Sequence, residues 1–291
     1  MKLLVIGKNG QLGNLFFEKN RNSDFEIIYT NRDQLDLENE PTIVSCLKFY
    51  KPNIIVNLAA YTKVDNAEEE RHKAFKINSS SMKILSEVTS SINATLIHIS
   101  SDYVYNGTST KPHKENSPTD PTSYYGFTKL IGEENIRASG CNHIIIRTSW
   151  VFSEYGENFL KTMLNIGRKS NVIKVVNDQR GCPTYGGDIV DIINKFIYSI
   201  YVNDYKNGIY NFCSTPECSW YDFAIKIFSV SSSLGQVIPD KIIPVSSIEF
   251  PSKAIRPSYS VLDCLKIQTL FAIDLPSWER RTEEVVAKLI S

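Results

Sequence analysis

Short apolar runs alternate with segments of helical period through the first half of the chain. Lys2 to Ile6 reads as a buried strand, and Gln11 to Asn20 sets Leu12, Leu15 and Phe16 on one helical face. Phe25 to Tyr29, Asn53 to Leu58, Thr95 to Ile99 and His143 to Ile146 read as further strands. Helices are expected over Pro41 to Tyr50, about Glu68 to Ile92, and Tyr124 to Ser139. Pro41 suits a first helical turn, where a missing N–H costs least, and Gly140 suits a left-handed cap. Strands this apolar, separated by helices, predict an α/β fold with a parallel sheet covered on both faces, doubly wound in the Rossmann manner.

After Trp150 the rhythm loosens. Asn158 to Lys169, Asp188 to Tyr201, Trp220 to Val230 and Glu279 to Ile290 read as helices, with Val172 to Val176 and Gly208 to Phe212 as strands. Ser219 and Asp222 have the spacing of a capping box. The expected organisation is a dinucleotide-binding domain over residues 1–150, then a smaller α/β substrate-binding region over 151–291. The boundary is soft, and the second region is expected to be discontinuous, with parts returning to the main sheet.

Composition narrows the choice of partner. Lys plus Arg total 32 and Asp plus Glu total 32, so no net positive field exists to hold a nucleic acid. At 42% hydrophobic the chain is too apolar for disorder, and 291 residues bury a core without bridges or structural metal. The apolar runs are too short to span a membrane, and the one after Met1 is too short for a secretory leader. Six cysteines without a C-x-x-C pair and four scattered histidines suggest a reducing compartment, the cytoplasm, and no metal site. His98, inside an apolar run, reads as a core histidine.

Four segments carry chemistry. Gly7-Lys8-Asn9-Gly10-Gln11-Leu12-Gly13 follows the first strand and opens the first helix. There Gly7 makes the turn, Gly10 admits a pyrophosphate, and Gly13 lets the helix pack closely. Asn31 and Arg32 stand where an NAD-preferring fold carries an acid, and a planar guanidinium suits a 2′-phosphate. This favours NADPH, with NADH still open; a solvated arginine is the plainer alternative. Tyr125 and Lys129 share a helix face, where an ammonium is expected to lower the phenol pKa and ease proton transfer. Ser101, followed by Asp102, lies at the carboxyl end of the fourth strand, where such sheets bind ligands. No G-x-S-x-G elbow supports a serine nucleophile.

Together these residues resemble the extended short-chain dehydrogenase/reductases, with their Ser, Tyr and Lys set. The segment Asn57 to Glu68 (NLAAYTKVDNAE), Ser101-Asp102-Tyr103-Val104-Tyr105, Arg147-Thr148-Ser149-Trp150-Val151, Val176 to Thr184 and Arg256-Pro257 resemble the dTDP-4-dehydrorhamnose reductase family in particular. The resemblance implies NADPH-dependent reduction of the C4 ketone of a dTDP-4-keto-6-deoxy-L-sugar, giving dTDP-L-rhamnose for a surface polysaccharide. It implies that Ser101 holds the ketone, Tyr125 gives the proton, and Lys129 binds the nicotinamide ribose. Ser101 replaces the Thr of many relatives and keeps the hydroxyl. Ala60, Tyr61 and Thr62 would border the cofactor, with Asp36 and Leu37 on its adenine side. Asp102 and Trp150 would touch the sugar, and Arg256 would reach a diphosphate or be solvated. Ordinary core packing is the alternative for Trp150, and Arg147 reads as an internal ion-pairing residue. Some relatives use magnesium at a dimer contact, but no acidic cluster here compels one, and the chain is expected to be a monomer or homodimer. A talose-type or N-acetylated sugar, an epimerase, and a non-catalytic regulatory subunit remain as alternatives.

Overall fold

A computed structural model describes residues 1–290. The first half runs β1 (Lys2–Ile6), α1 (Gln11–Lys19), β2 (Glu26–Thr30), α2 (Glu40–Tyr50), β3 (Ile54–Asn57), α3 (Val64–Ala67), α4 (Arg71–Phe75), α5 (Ser81–Ser91), β4 (Thr95–Ser101), α6 (Tyr124–Ala138) and β5 (Asn142–Thr148). The second half runs β6 (Val151–Phe152), α7 (Phe159–Gly167), β7 (Val172–Val176), β8 (Arg180–Gly181), β9 (Thr184–Tyr185), α8 (Gly186–Tyr201), β10 (Gly208–Asn211), β11 (Cys218–Ser219), α9 (Trp220–Ser233), β12 (Lys241–Val245), α10 (Leu265–Phe271) and α11 (Trp278–Ile290).

The main sheet has six strands in the order β10-β5-β4-β3-β1-β2, all parallel. Strand alternation divides its side chains between two faces. Leu3, Val5, Ile54, Val56 and Ile144 face one core with Leu15 and Phe16 of α1 and Ile189 and Ile193 of α8. Leu4, Ile6, Ile55, Leu96 and Ile145 face the other, with Ile43 and Leu47 of α2, Leu85 of α5 and Ile136 of α6. Both faces are covered, which is why these strands read as continuous apolar runs. The chain leaves β1 for β2 on one side and later returns to β3 on the other. A crevice therefore opens at the carboxyl ends of β1 and β3, the switch point where such sheets bind ligands.

The expected helix over Glu68 to Ile92 is interrupted. A turn separates α3 from α4, and Lys76–Ser80 forms a π-helical segment before α5. Asn78 in that segment turns its amide to the backbone of Tyr61, accepting from its N–H at 2.9 Å and donating to its carbonyl at 3.0 Å. Strand β12 escaped the sequence pattern. It pairs in parallel with β7 away from the main sheet, and its Pro244 has no N–H to give a ladder. The capping box at Ser219 and Asp222 is present, and Gly140 has φ 69°. Strand β10 lies beyond residue 150 yet forms an edge of the main sheet, and α8 packs beside α1.

No described helix is long and apolar enough to cross a membrane. Among the described residues, no group of three His, Cys, Asp or Glu side chains is placed to hold a metal. All six cysteines are free and buried.

Candidate active site

A cleft of about 1350 Å³ crosses the carboxyl ends of β1, β3 and β4. One end is built on the glycine turn. Gly7 has φ 93°, and a Cβ there would lie 2.8 Å from the Ala59 nitrogen, so only glycine fits between the two strand ends. Gly10 caps α1 without a side-chain bond, which leaves the first-turn N–H groups available to an anion. Gly7, Gly10, Gln11 and Leu12 line the cleft. Gly13 does not: a Cβ there would lie 2.1 Å from the Gly7 carbonyl oxygen, so this glycine lets α1 press against the turn. Gln11 is held from the far side, its Oε1 accepting from Ser153 Oγ at 2.9 Å and Asn158 Nδ2 at 3.0 Å.

Asn31, Arg32, Asp36 and Leu37 follow β2 and line the same end. Asn31 closes the local turn by accepting from Gln34 N at 3.0 Å. The exposed Arg32 guanidinium bonds Asp36 Oδ1 at 3.3 Å and also pairs with Glu38. Ala60 and Thr62 border the cleft. Tyr61 departs from the expectation: its ring turns away to pack beside Ala67 and Ala74, and its backbone is taken by Asn78.

Where β4 ends, Ser101 Oγ donates to Asp102 Oδ1 at 3.0 Å and accepts from Tyr103 N at 3.2 Å. Helix α6 begins beside this turn, capped by Ser123, whose Oγ accepts from Gly126 N at 3.2 Å. A Cβ on Gly126 would lie 2.1 Å from the Tyr103 carbonyl oxygen, so this glycine admits the close approach. That approach brings Tyr125 to Ser101, with the Tyr103 ring edge-to-face at 5.6 Å. One turn further, Lys129 is buried, its Nζ donating to the Ile99 carbonyl at 2.7 Å and lying 3.2 Å from His98 Nε2.

The electrostatics correct one expectation. Tyr125 is not lowered by Lys129; enclosure in protein pushes it up to about 12, with the nearby Ser101 hydroxyl acting in the opposite direction. The Lys129 Nζ is held by the Ile99 carbonyl beside His98, away from the phenol, and burial brings its pKa down to about 8. Burial likewise pushes Asp102 up to about 7, against hydrogen bonds from Ser260 and Ser101.

The remaining wall comes from the second half of the chain. Trp150 has φ 47°, and its indole lies flat on Trp220 with ring centroids 3.5 Å apart. Gly181 makes room for it, since a Cβ there would lie 2.5 Å from Trp150 Cε2. Arg256, partly exposed at the rim of the cleft, is held there by Asp65 with bonds of 2.6 and 3.2 Å. Arg147 lies outside the cleft in a buried pair with Glu133 at 2.6 Å. Sequence reasoning missed Trp220, Phe159 and Gln179 as cleft residues. Local pattern marked Trp220 only as a helix start, and its partner lies in a distant segment.

The fold is that of the Rossmann-type reductases and epimerases. Within that class, the chain belongs to the RmlD substrate binding domain family, whose model matches residues 1–291. It is 40% identical over 294 residues to a dTDP-4-dehydrorhamnose reductase of Sinorhizobium fredii, covering 100% of this chain and 98% of the relative. A crystal structure of a dTDP-4-dehydrorhamnose reductase from Clostridium acetobutylicum superposes with a TM-score of 0.93 at 35% identity, covering 100% of both chains. Another from Bacillus anthracis, in complex with NADP, gives a TM-score of 0.91 at 34% identity over 99% of each chain.

Proposed function

We propose that the protein reduces the C4 ketone of dTDP-4-dehydro-L-rhamnose to give dTDP-L-rhamnose, with NADPH as the reductant. The observation that carries this is the convergence of Ser101, Tyr125 and Lys129 on one cleft that also contains the glycine turn. The turn fits a dinucleotide. Gly7 tolerates no side chain, whereas a Cβ on Gly10 would meet nothing nearer than the Gly7 carbonyl oxygen at 3.5 Å. Gly10 thus leaves a cradle for a diphosphate over the bare start of α1. Arg32 suits a 2′-phosphate if its bonds to Asp36 and Glu38 are exchanged.

When bound, NADPH supplies the hydride. The chain supplies position and the proton. In this reading the Ser101 and Tyr125 hydroxyls hold the ketone oxygen, and the phenol gives its proton as that oxygen gains charge. A phenol held at about 12 stays protonated near neutrality, as a proton donor must. Lys129 binds the nicotinamide ribose. Ala60 and Thr62 border the cofactor, with Asp36 and Leu37 on its adenine side. Asp102 and the Trp150–Trp220 stack bound the sugar, while Arg256 orders the rim through Asp65. We place the cofactor on residues 1–150 and the sugar nucleotide largely on 151–291. We assign the protein to the cytoplasm, in keeping with its six free thiols, as a monomer or homodimer.

The test is a panel of 4-keto nucleotide sugars with NADPH, with product stereochemistry determined. The dTDP-linked 4-keto-6-deoxy-L-sugar should turn over fastest and give the L-rhamno product. Preferential conversion to the talo product, or turnover only of a UDP- or GDP-linked sugar, would replace the assigned substrate.

A further inference from the structure

The buried surroundings of Lys129 contain a hydrogen-bond array with one self-consistent arrangement of protons. His98 in β4 and Asn57 in β3 are both buried and are Cα partners in adjacent strands. Asn57 Oδ1 accepts from the Ala59 backbone N–H at 3.1 Å. That bond fixes the amide, because the flipped amide would set its NH₂ against an N–H. The NH₂ therefore faces His98 Nδ1 at 3.1 Å, with Met82 Sδ also within 3.2 Å. Nδ1 must accept, so a neutral ring carries its proton on Nε2. Burial holds the ring neutral. Nε2 stands 3.2 Å from Lys129 Nζ. An ammonium there would set donor against donor, whereas a neutral amine accepts from Nε2–H and still donates to the Ile99 carbonyl at 2.7 Å.

We propose that His98 is a positioning residue for Lys129: held by Asn57 with its proton on Nε2, it donates to the Lys129 amine and favours that amine's uncharged form. Its value to the reaction rests on the reductase reading. A lysine that exchanges its proton near neutrality can accept and return protons beside Tyr125, while one locked as ammonium cannot. The charged and titratable groups around Lys129 are Tyr125 and Glu133 on its own helix, His98 and Asp102 at the end of β4, and Arg147 of β5, which neutralises Glu133. Glu133 favours the ammonium, so it opposes His98. This conflict separates the proposal from simple burial. Burial alone depresses Lys129 whatever the ring does, whereas a bond to the neutral form adds a part that vanishes with the imidazole.

Two NMR measurements test it without any turnover. On nitrogen-15-labelled protein at about pH 9, long-range proton–nitrogen correlations should place the His98 proton on Nε2 and leave Nδ1 bare. A proton on Nδ1 overturns the proposal. In protein labelled at the lysine ε-carbon, with Lys129 assigned by loss of its signal in Lys129→Met, the wild type and His98→Leu are titrated. The Lys129 midpoint should rise by about one pH unit in His98→Leu. An unchanged or lower midpoint overturns it. If His98→Leu does not fold, the wild-type tautomer decides alone. Neither readout depends on substrate, so a failure of the reductase reading leaves both interpretable.

Discussion

The Trp150 indole lies parallel to that of Trp220, with planes 6° apart and centroids 3.5 Å apart, and Phe159 leans on Trp220 at 4.6 Å. The stack joins the segment after β5 to the start of α9 and forms one wall of the cleft. Aromatic pairs contribute about 0.5–1.5 kcal/mol beyond burial. Trp220→Ala should therefore lower stability by roughly 1 kcal/mol or more and raise KM for the nucleotide sugar several-fold, with a smaller fall in kcat. Trp220→Phe should recover most of both. Denaturant unfolding and steady-state kinetics on the two variants check this; an unchanged KM in Trp220→Ala removes the stack from the substrate wall.

Tyr125 sits on the first turn of α6, where its hydroxyl is near Ser101 and little of its ring packing depends on the oxygen. Tyr125→Phe should reduce kcat by about 10²- to 10⁴-fold while the dissociation constant for NADPH stays within about twofold. Fluorescence titration of the cofactor alongside turnover separates the two effects. Turnover near the wild-type value would show that another group gives the proton.

Asp102 gives a pH dependence with a definite sign. Burial pushes its carboxyl from 3.8 up to about 7, so between those values the folded chain holds a proton that the unfolded chain has lost. Its favourable contribution is complete below about pH 4 and declines until pH has risen through about 7. Asp102→Asn keeps the neutral shape at every pH. The melting temperature of the variant should therefore gain on the wild type from about pH 4 to about pH 8. A constant difference across that range would mean that Asp102 ionises normally in the fold.

Arg32 lines the cleft beside Asn31, and its guanidinium already binds Asp36 and Glu38. A 2′-phosphate must compete with those carboxylates. Hydrogen bonds to charged groups contribute about 1.5–3 kcal/mol, so Arg32→Ala should raise KM for NADPH by roughly ten- to a hundredfold and leave KM for NADH nearly unchanged. Equal effects on both cofactors would assign Arg32 to loop structure.

The parts of the site written in contiguous residues were legible in the sequence. Gly7 to Gly13 follows a strand and opens a helix, and Tyr125 and Lys129 share one helix face, so backbone geometry alone relates their members. Contacts between distant segments were not legible. Nothing near Arg256 names Asp65 as its partner, and nothing near Trp220 names Trp150. Tyr61 itself does not line the cleft although its neighbours Ala60 and Thr62 do, because Asn78, in a π-helical segment the periodicity hides, takes its backbone. Strand β12 was hidden by Pro244 and by an edge position that needs no strict alternation. The expected lowering of Tyr125 failed for a related reason. Four-residue spacing gives a shared face, but the Lys129 amine reaches across to β4.

The central claim is that hydride passes from the cofactor to the sugar C4 with net consumption of NADPH. Carrying out the reaction with NADPH bearing deuterium at the transferable position of the nicotinamide, and locating the label in the product, tests it most directly. The account predicts one NADPH oxidised per sugar converted and one deuterium at C4 of dTDP-L-rhamnose. Conversion without net NADPH oxidation, or a product without deuterium at C4, would contradict it and point to an epimerase-type cycle.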